Sequence, residues 1–396
     1  MRVLLVNDFG QLIGGAESHV LSLSKALKAN GVEVSIVSSD RLKADSRNSP
    51  VFSDYQIPHS GHFFDTDSIY NRKAKSSLKT VLDEFQPDVV HLHNIFYALS
   101  PSILDSLKQY PTCMTAHDYI TVCAGDKRYS NGEPCSSTFT RFRCQSPLGC
   151  KEEGIVKKLR RAMLTKKLSL ITSFITPSSF VQKQLQDFGL TQKIEVIYHP
   201  FSSGSVAPLQ LPSFSNKSPA NLLFVGRLSS QKGVDIAIRA LQHTSTQVKL
   251  IIAGDGPEKE SLVQLVDDLK LKERVRFLGW VKPDELQAHF LSSCAVVFPS
   301  LWPEVAGLGM YEAAQYGRAS IGSSIGAIPE FIEHGKTGLL FKPGDPRDLA
   351  SCIDTLFSSE GMLEKLSRCS YEKSLSYTMD DQLQLTLAHY RKIQLR

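Results

Sequence analysis

Two doubly wound α/β domains are predicted for this 396-residue chain, and three observations predict them. Apolar runs of strand length alternate with amphipathic stretches of helix length, the rhythm of parallel sheets built from β-α-β units. That rhythm stops at residues 201–220, FSSGSVAPLQLPSFSNKSPA, a stretch rich in Pro and Ser and poor in charge that reads as a linker. Beyond it the opening pattern starts again: strand, loop and helix over 221–241, as over 2–27. The length suits two domains of about 150–200 residues each.

Composition narrows the classes. Hydrophobic residues make up 42% and charged residues 21%, ordinary for a globular protein. A formal net charge of +5 is too small to argue for nucleic acid, so no such partner is expected. The N-terminal apolar run, Val3 to Val6, is a strand rather than a secretion signal. No apolar run approaches the roughly 20 residues of a membrane span. A cytoplasmic protein is therefore expected. Eight cysteines in a chain of this size do not suggest a secreted disulfide scaffold.

In the first domain, residues 1–200, RVLLVN (2–7) is a strand and residues 16–30 an amphipathic helix, with Val20, Leu23 and Leu27 at helical spacing and Gly31 ending it. The strand VEVSIVSS (32–39), a polar irregular stretch over 40–66, a helix over 68–85 and the strand DVVHLHN (88–94) follow. A helix near 100–109 and the strand TCMTAH (112–117) come next. Gly14 and Gly15 open the first helix. Paired glycines let a ligand approach the backbone, and a helix N-terminus favours an anion; a plain turn is the alternative. The pair is not a G-x-G-x-x-G fingerprint and no ribose acid follows it, which disfavours a dinucleotide dehydrogenase. His117, at the end of its strand, suits a hydrogen bond to a substrate hydroxyl, against a satisfied core histidine. His91 and His93 share one strand face. No third ligand is evident beside them, so structural roles are expected.

Residues 118–150 break the rhythm and carry Cys123, Cys135, Cys144 and Cys150. Four thiolates could staple such a segment around a structural zinc, against free thiols or a labile disulfide. The following stretch, 154–171, sets an apolar stripe of Ile155, Leu159, Ala162 and Leu170 among six Lys and Arg residues. It reads either as a helix lying on an anionic membrane surface or as a solvated helix with a core-facing stripe. Strands at 171–179 and 193–199, with a helix between, complete the domain.

The second domain, residues 221–375, is organised around FPSLWPEVAGLGMYE (298–312). The buried strand 295–298 stops at Pro299 and Ser300, a loop carries Glu304, and a helix opens near Gly307 and Leu308 with Glu312 on it. Carboxylates accept hydrogen bonds from hydroxyls, and the helix N-terminus suits a phosphate. Arg227 and Lys232, after the strand LLFVG, place two cations at the mouth of another helix and suit a diphosphate; solvated loop charge is the alternative. Residues 376–396 form a last helix, expected to pack back toward the first domain. Two sheets joined by a linker are expected to leave a ligand cleft.

These residues carry a resemblance. GRLSSQKG (226–233), the pair Glu304/Glu312 and IGAIPEFIEHGKTGLLFKPGD (325–345) resemble the retaining glycosyltransferases of the GT-B fold, family-4 group. GGAESHV with Gly14-Gly15, DVVHLHN and His117 are similar to that group's N-terminal landmarks. The resemblance implies two Rossmann-like domains. It also implies a nucleotide-diphosphate sugar donor, held mainly by the second, and a saccharide or lipid-linked acceptor bound by the first. Arg227 and Lys232 would neutralise the diphosphate, with Gly307 and Leu308 at the helix mouth. Glu304 would contact the donor sugar and Glu312 its ribose. Gly14-Gly15 would close on the diphosphate, and His117 would bond the sugar. Catalysis would need no cofactor. The group usually has an aromatic residue two positions after the first glutamate; Ala306 here implies a roomier wall. The alternatives are a GT-B epimerase or phosphorylase, which needs no acceptor alcohol, and a catalytically silent sugar-nucleotide-binding protein.

Overall fold

The computed structural model describes residues 1–41, 50–59, 69–96, 98–123, 129–130, 133–134, 139–140, 143–144, 155–200, 209–213 and 219–395. The chain divides into two compact units. One comprises Met1–Ser130, Cys135–Ser203 and Thr378–Arg396; the other comprises Gly204–Tyr377 with Asn131–Pro134.

The first unit is built on β1 (Arg2–Phe9), β2 (Glu33–Ser39), β3 (Tyr55–Ile57), β4 (Val89–Leu92) and β5 (Thr112–Thr115). The cysteine-bearing insertion holds four two-residue strands, β6 (Tyr129–Ser130), β7 (Glu133–Pro134), β8 (Phe139–Thr140) and β9 (Arg143–Cys144). Of these, β8 and β9 pair antiparallel. Strands β10 (Ser173–Thr176) and β11 (Lys193–Val196) complete a seven-stranded sheet of order β11-β10-β5-β4-β1-β2-β3. Every pairing in it is parallel. Val3, Leu4, Leu5 and Val6 have no exposed surface. Such an unbroken apolar run is what a strand covered on both faces requires. The unit's helices are α1 (Gly15–Ala29), α2 (Arg72–Phe85), α3 (Ile155–Lys167) and α4 (Ser179–Asp187).

Three local expectations change. The stretch expected to be irregular contains edge strand β3, too short at three residues for periodicity to reveal. The helix expected near 100–109 is a 3-10 helix, Pro101–Leu107, entered through Ser100 at φ +72°. The basic helix ends at Lys167 and passes into a 3-10 turn, Leu168–Leu170.

The second unit carries β12 (Ala220–Val225), β13 (Val248–Ala253), β14 (Val275–Gly279), β15 (Ala295–Phe298), β16 (Ala319–Ser323) and β17 (Gly338–Phe341). They form a sheet of order β14-β13-β12-β15-β16-β17, again parallel throughout. Its helices are α5 (Val234–Ala240), α6 (Lys259–Asp268), α7 (Pro283–Ser292), α8 (Leu308–Gln315), α9 (Ile328–Phe331), α10 (Pro346–Leu356) and α11 (Glu360–Ser374). The buried Arg318 guanidinium donates to the carbonyls of Phe290, Leu291 and Gln210, which fixes the end of the linker onto this unit.

The last helix, α12 (Met379–Gln394), belongs to the first unit. Leu383, Leu387, Tyr390 and Ile393 join Val3, Leu5, Val20, Leu23 and Leu27 in one apolar cluster. A capping box between Thr378 and Asp381 starts it.

Candidate functional site

In an open α/β sheet ligands bind beyond the carboxyl ends of the strands, where the strand order reverses. In the second unit that point lies between β12 and β15, which are neighbours. The loop after β12 carries Arg227 and Lys232, and the loop after β15 carries Glu304. Strand order therefore brings together residues more than seventy positions apart in sequence.

The two loops are laced together. Leu301 N–H donates to the Gln231 carbonyl at 2.8 Å. Gly233 stands at φ +63°, and a Cβ there would sit 2.0 Å from the Pro299 carbonyl oxygen, so only glycine allows this approach. Lys232 Nζ meets Glu304 Oε1 at 2.7 Å, with both side chains half-buried. Ser300 Oγ donates to the same Oε1, and Lys232 Nζ lies 5.6 Å from the centre of the Trp302 ring. The Glu304 carbonyl accepts from Ala327 N–H at 2.8 Å, which ties its loop to the approach to α9. Arg227 is exposed and has no carboxylate at ion-pair distance among the described residues.

Gly307 precedes α8, and a Cβ there would lie 2.3 Å from Phe331 Cδ2. Close packing against α9 explains this glycine. Leu308 opens the helix and Glu312 follows on its second turn. The Glu312 side chain is 8% exposed, and burial pushes its carboxyl up to about 8. It holds a proton at neutral pH and can donate as well as accept.

The first unit reverses its strand order between β1 and β4. Asp8, near the end of β1, accepts from the backbone N–H groups of Phe96, Ala98 and Leu99, all at 2.7 to 2.9 Å, and so anchors the loop after β4. Gly14 caps α1 in extended backbone. A Cβ on it would meet nothing nearer than Glu17 Oε2 at 3.7 Å, so the fold itself does not demand this glycine.

His117 does not stand alone. It lies just past β5, half-buried, and its Nε2 is 2.9 Å from Nδ1 of His93, just past β4. His19 on α1 is 5.2 Å from His117 between ring centres, and His199 stacks on His19 at 3.8 Å. Gln382 on α12 reaches both His19 Nε2 (2.6 Å) and His199 Nδ1 (3.2 Å). Burial drives His117 down to about 3, and burial with mutual repulsion lowers His19, His93 and His199. All four rings are neutral at pH 7. His91 turns instead to Tyr390 OH and Thr115 Oγ1, both at 2.7 Å, a structural role. The expectation that His93 lacks further imidazole neighbours is corrected: they come from α1 and from the end of β5. Their sequence distance hid them, and HxH spacing was the only signal.

Cys123 is buried beyond β5. Cys135, Cys150 and the side chain of Cys144, the remainder of the expected zinc set, lie outside the described residues.

Comparison with known proteins agrees with this architecture. The model "Glycosyl transferases group 1" matches residues 211–373, and "Glycosyltransferase Family 4" matches residues 13–202. An uncharacterized glycosyltransferase of Methanocaldococcus jannaschii is 25% identical over 96% of this chain and 95% of its own. Sucrose-phosphate synthase from Thermosynechococcus elongatus superimposes with a TM-score of 0.76 at 18% identity, over 99% of both chains. Anabaena HepE in complex with UDP does so at 0.67 and 18%, over 99% of this chain and all of that one. The chain is an enzyme of the GT-B class, built from two Rossmann-like units. It belongs to the family-4 glycosyltransferases.

Proposed function

We propose that this enzyme is a retaining glycosyltransferase. It moves a sugar from a nucleotide-diphosphate donor to a hydroxyl of a saccharide or lipid-linked acceptor, in polysaccharide, glycolipid or other glycoconjugate assembly. The observation that carries this reading is the Lys232–Glu304 contact at the reversal point of the second sheet, beside the exposed Arg227 and the N-terminus of α8. A cation and a carboxylate that neutralise each other before the donor arrives are groups that a phosphate and a sugar hydroxyl can take over separately. The UDP complex of the similar HepE supports a nucleotide donor.

On this reading the sugar–phosphate bond breaks to an oxocarbenium-like sugar and a diphosphate with added negative charge. Arg227, Lys232 and the N–H groups of Gly307 and Leu308 stabilise that charge, so the step calls for no divalent metal or other cofactor. The leaving phosphate oxygen takes the acceptor's proton on the same face, which retains the anomeric configuration. Glu304 positions the donor sugar, and His117 bonds one of its hydroxyls. Glu312, with its retained proton, meets the ribose, and Gly14-Gly15 admit the diphosphate to the backbone. Acceptor binding is assigned to the first unit.

Product analysis tests this directly. Transfer should require an acceptor alcohol and keep the donor's anomeric configuration. Arg227→Ala and Lys232→Ala should each lose activity by about 10²-fold or more. Turnover near the wild-type rate in both variants, or turnover without acceptor, refutes the assignment.

No helix among the described residues is long and apolar enough to cross a membrane. We place the enzyme in the cytoplasm, with α3 touching the inner membrane face. Leu159 on that basic helix is 52% exposed. Flotation with anionic but not zwitterionic vesicles is expected, and equal flotation with both, or none, removes this contact.

A further inference from the structure

We propose that the first unit holds a binding site for a zinc-class transition-metal ion, formed by His19, His93 and His117. Three separate elements deliver these rings to the carboxyl end of the sheet: α1, the exit of β4 and the exit of β5. Each ring offers a nitrogen, and the three nitrogens lie within 4.8 Å of one another. Small side-chain rotations suffice to close them on an ion whose bonds to imidazole are about 2.0–2.1 Å.

Two further observations point to a ligand. His19 Nδ1 and His93 Nε2 are buried and have no hydrogen-bond partner among the described residues. His19 Nε2 faces the Gln382 side-chain amide, whose Oε1 has no hydrogen-bond partner among the described residues; with that amide turned over, its oxygen accepts from Nε2–H and leaves Nδ1 unprotonated for a metal, as for metal-ligating histidines backed by an outer acceptor. His93 Nδ1 and His117 Nε2 face each other at 2.9 Å. The set is all imidazole, which suits Zn²⁺, Cu²⁺, Ni²⁺ or Co²⁺ and not Mg²⁺ or Ca²⁺. Three histidines leave a fourth position for water. His199 and Gln382 form the layer behind His19.

One consequence rests on the glycosyltransferase mechanism above. If His117 bonds the donor sugar, an ion on His117 displaces that contact, and metal occupancy inhibits transfer.

Cobalt titration of the full chain is the test, because Co²⁺ reports its ligands by colour. The expected spectrum shows intense tetrahedral visible bands, saturating at one ion per chain, with no thiolate-to-cobalt charge-transfer band. His19→Gln and His93→Gln should each lose it, whereas the combined Cys135→Ser, Cys144→Ser and Cys150→Ser variant should keep it. Copper bound to the wild-type chain should show several nitrogen couplings in its electron paramagnetic resonance spectrum, a result that needs no variant to fold. Absence of visible bands, or bands with thiolate charge transfer that vanish with the cysteines, overturns the proposal. In transfer assays zinc should inhibit reversibly, with chelator restoring activity, and should inhibit His19→Gln much less. An enzyme that shows the cobalt spectrum but no zinc inhibition retains the metal site and loses only the link to His117's role.

Discussion

Lys232 and Glu304 meet in a half-buried contact, so removing Lys232 leaves Glu304 with the Ser300 hydroxyl as its remaining side-chain partner. Lys232→Ala should lower stability by on the order of 1–3 kcal/mol, measured by denaturant titration, beyond its effect on turnover. Glu312 gives a pH signature. Its carboxyl titrates at about 8 in the folded chain, against an ordinary 4.5. Between those values the unfolded chain releases a proton that the folded chain keeps. The stability this group contributes is therefore full below about pH 4.5 and lost as pH rises toward 8, by at most about 1.4 kcal/mol per pH unit. Glu312→Gln lacks this slope, so its melting temperature relative to wild type should climb from pH 5 to pH 8; parallel curves would count against a buried, protonated Glu312. The placement of Arg227, Lys232 and Glu304 in loops after strands, and of Glu312 two turns into a helix, was legible in sequence from short spacing alone. Their direct pairing was not legible, because it depends on which strands are neighbours.

Helix α12 shows how an element outside the linear domain order completes a core. Tyr390 has no exposed surface, packs in the cluster around β1 and α1, and meets His91 Nδ1 through its hydroxyl. Tyr390→Ala should cost about 3–5 kcal/mol, as large-to-small aromatic changes in cores do, read from a denaturation midpoint shift. A loss below about 1 kcal/mol would mean that α12 is not part of the first unit's core. Most elements were legible from period and length: β1 from its apolar run, and α1 from Val20, Leu23 and Leu27. Three-residue β3 offers no period to read, and Pro101–Leu107 looks α-helical until its hydrogen bonds are seen.

At the scale of the whole molecule, each unit repeats one plan, a parallel sheet whose order reverses beside its first strand. The restart of the strand-loop-helix pattern after the linker made that repetition legible. The histidine cluster was not, because its members are gathered from positions 19 to 199 by the packing of α1 and the order of the strands. The central claim, a nucleotide-diphosphate sugar held by Lys232 and Arg227, predicts a gain in stability from ligand by mass action. A donor at a hundred times its Kd adds about 2.7 kcal/mol. Thermal unfolding of the wild-type chain and of Lys232→Ala across a panel of nucleotide-diphosphate sugars measures it. At least one donor should raise the wild-type melting temperature by several degrees and fail to raise that of Lys232→Ala. If no donor shifts the wild type, or if the variant responds equally, the second unit does not bind its donor through this site.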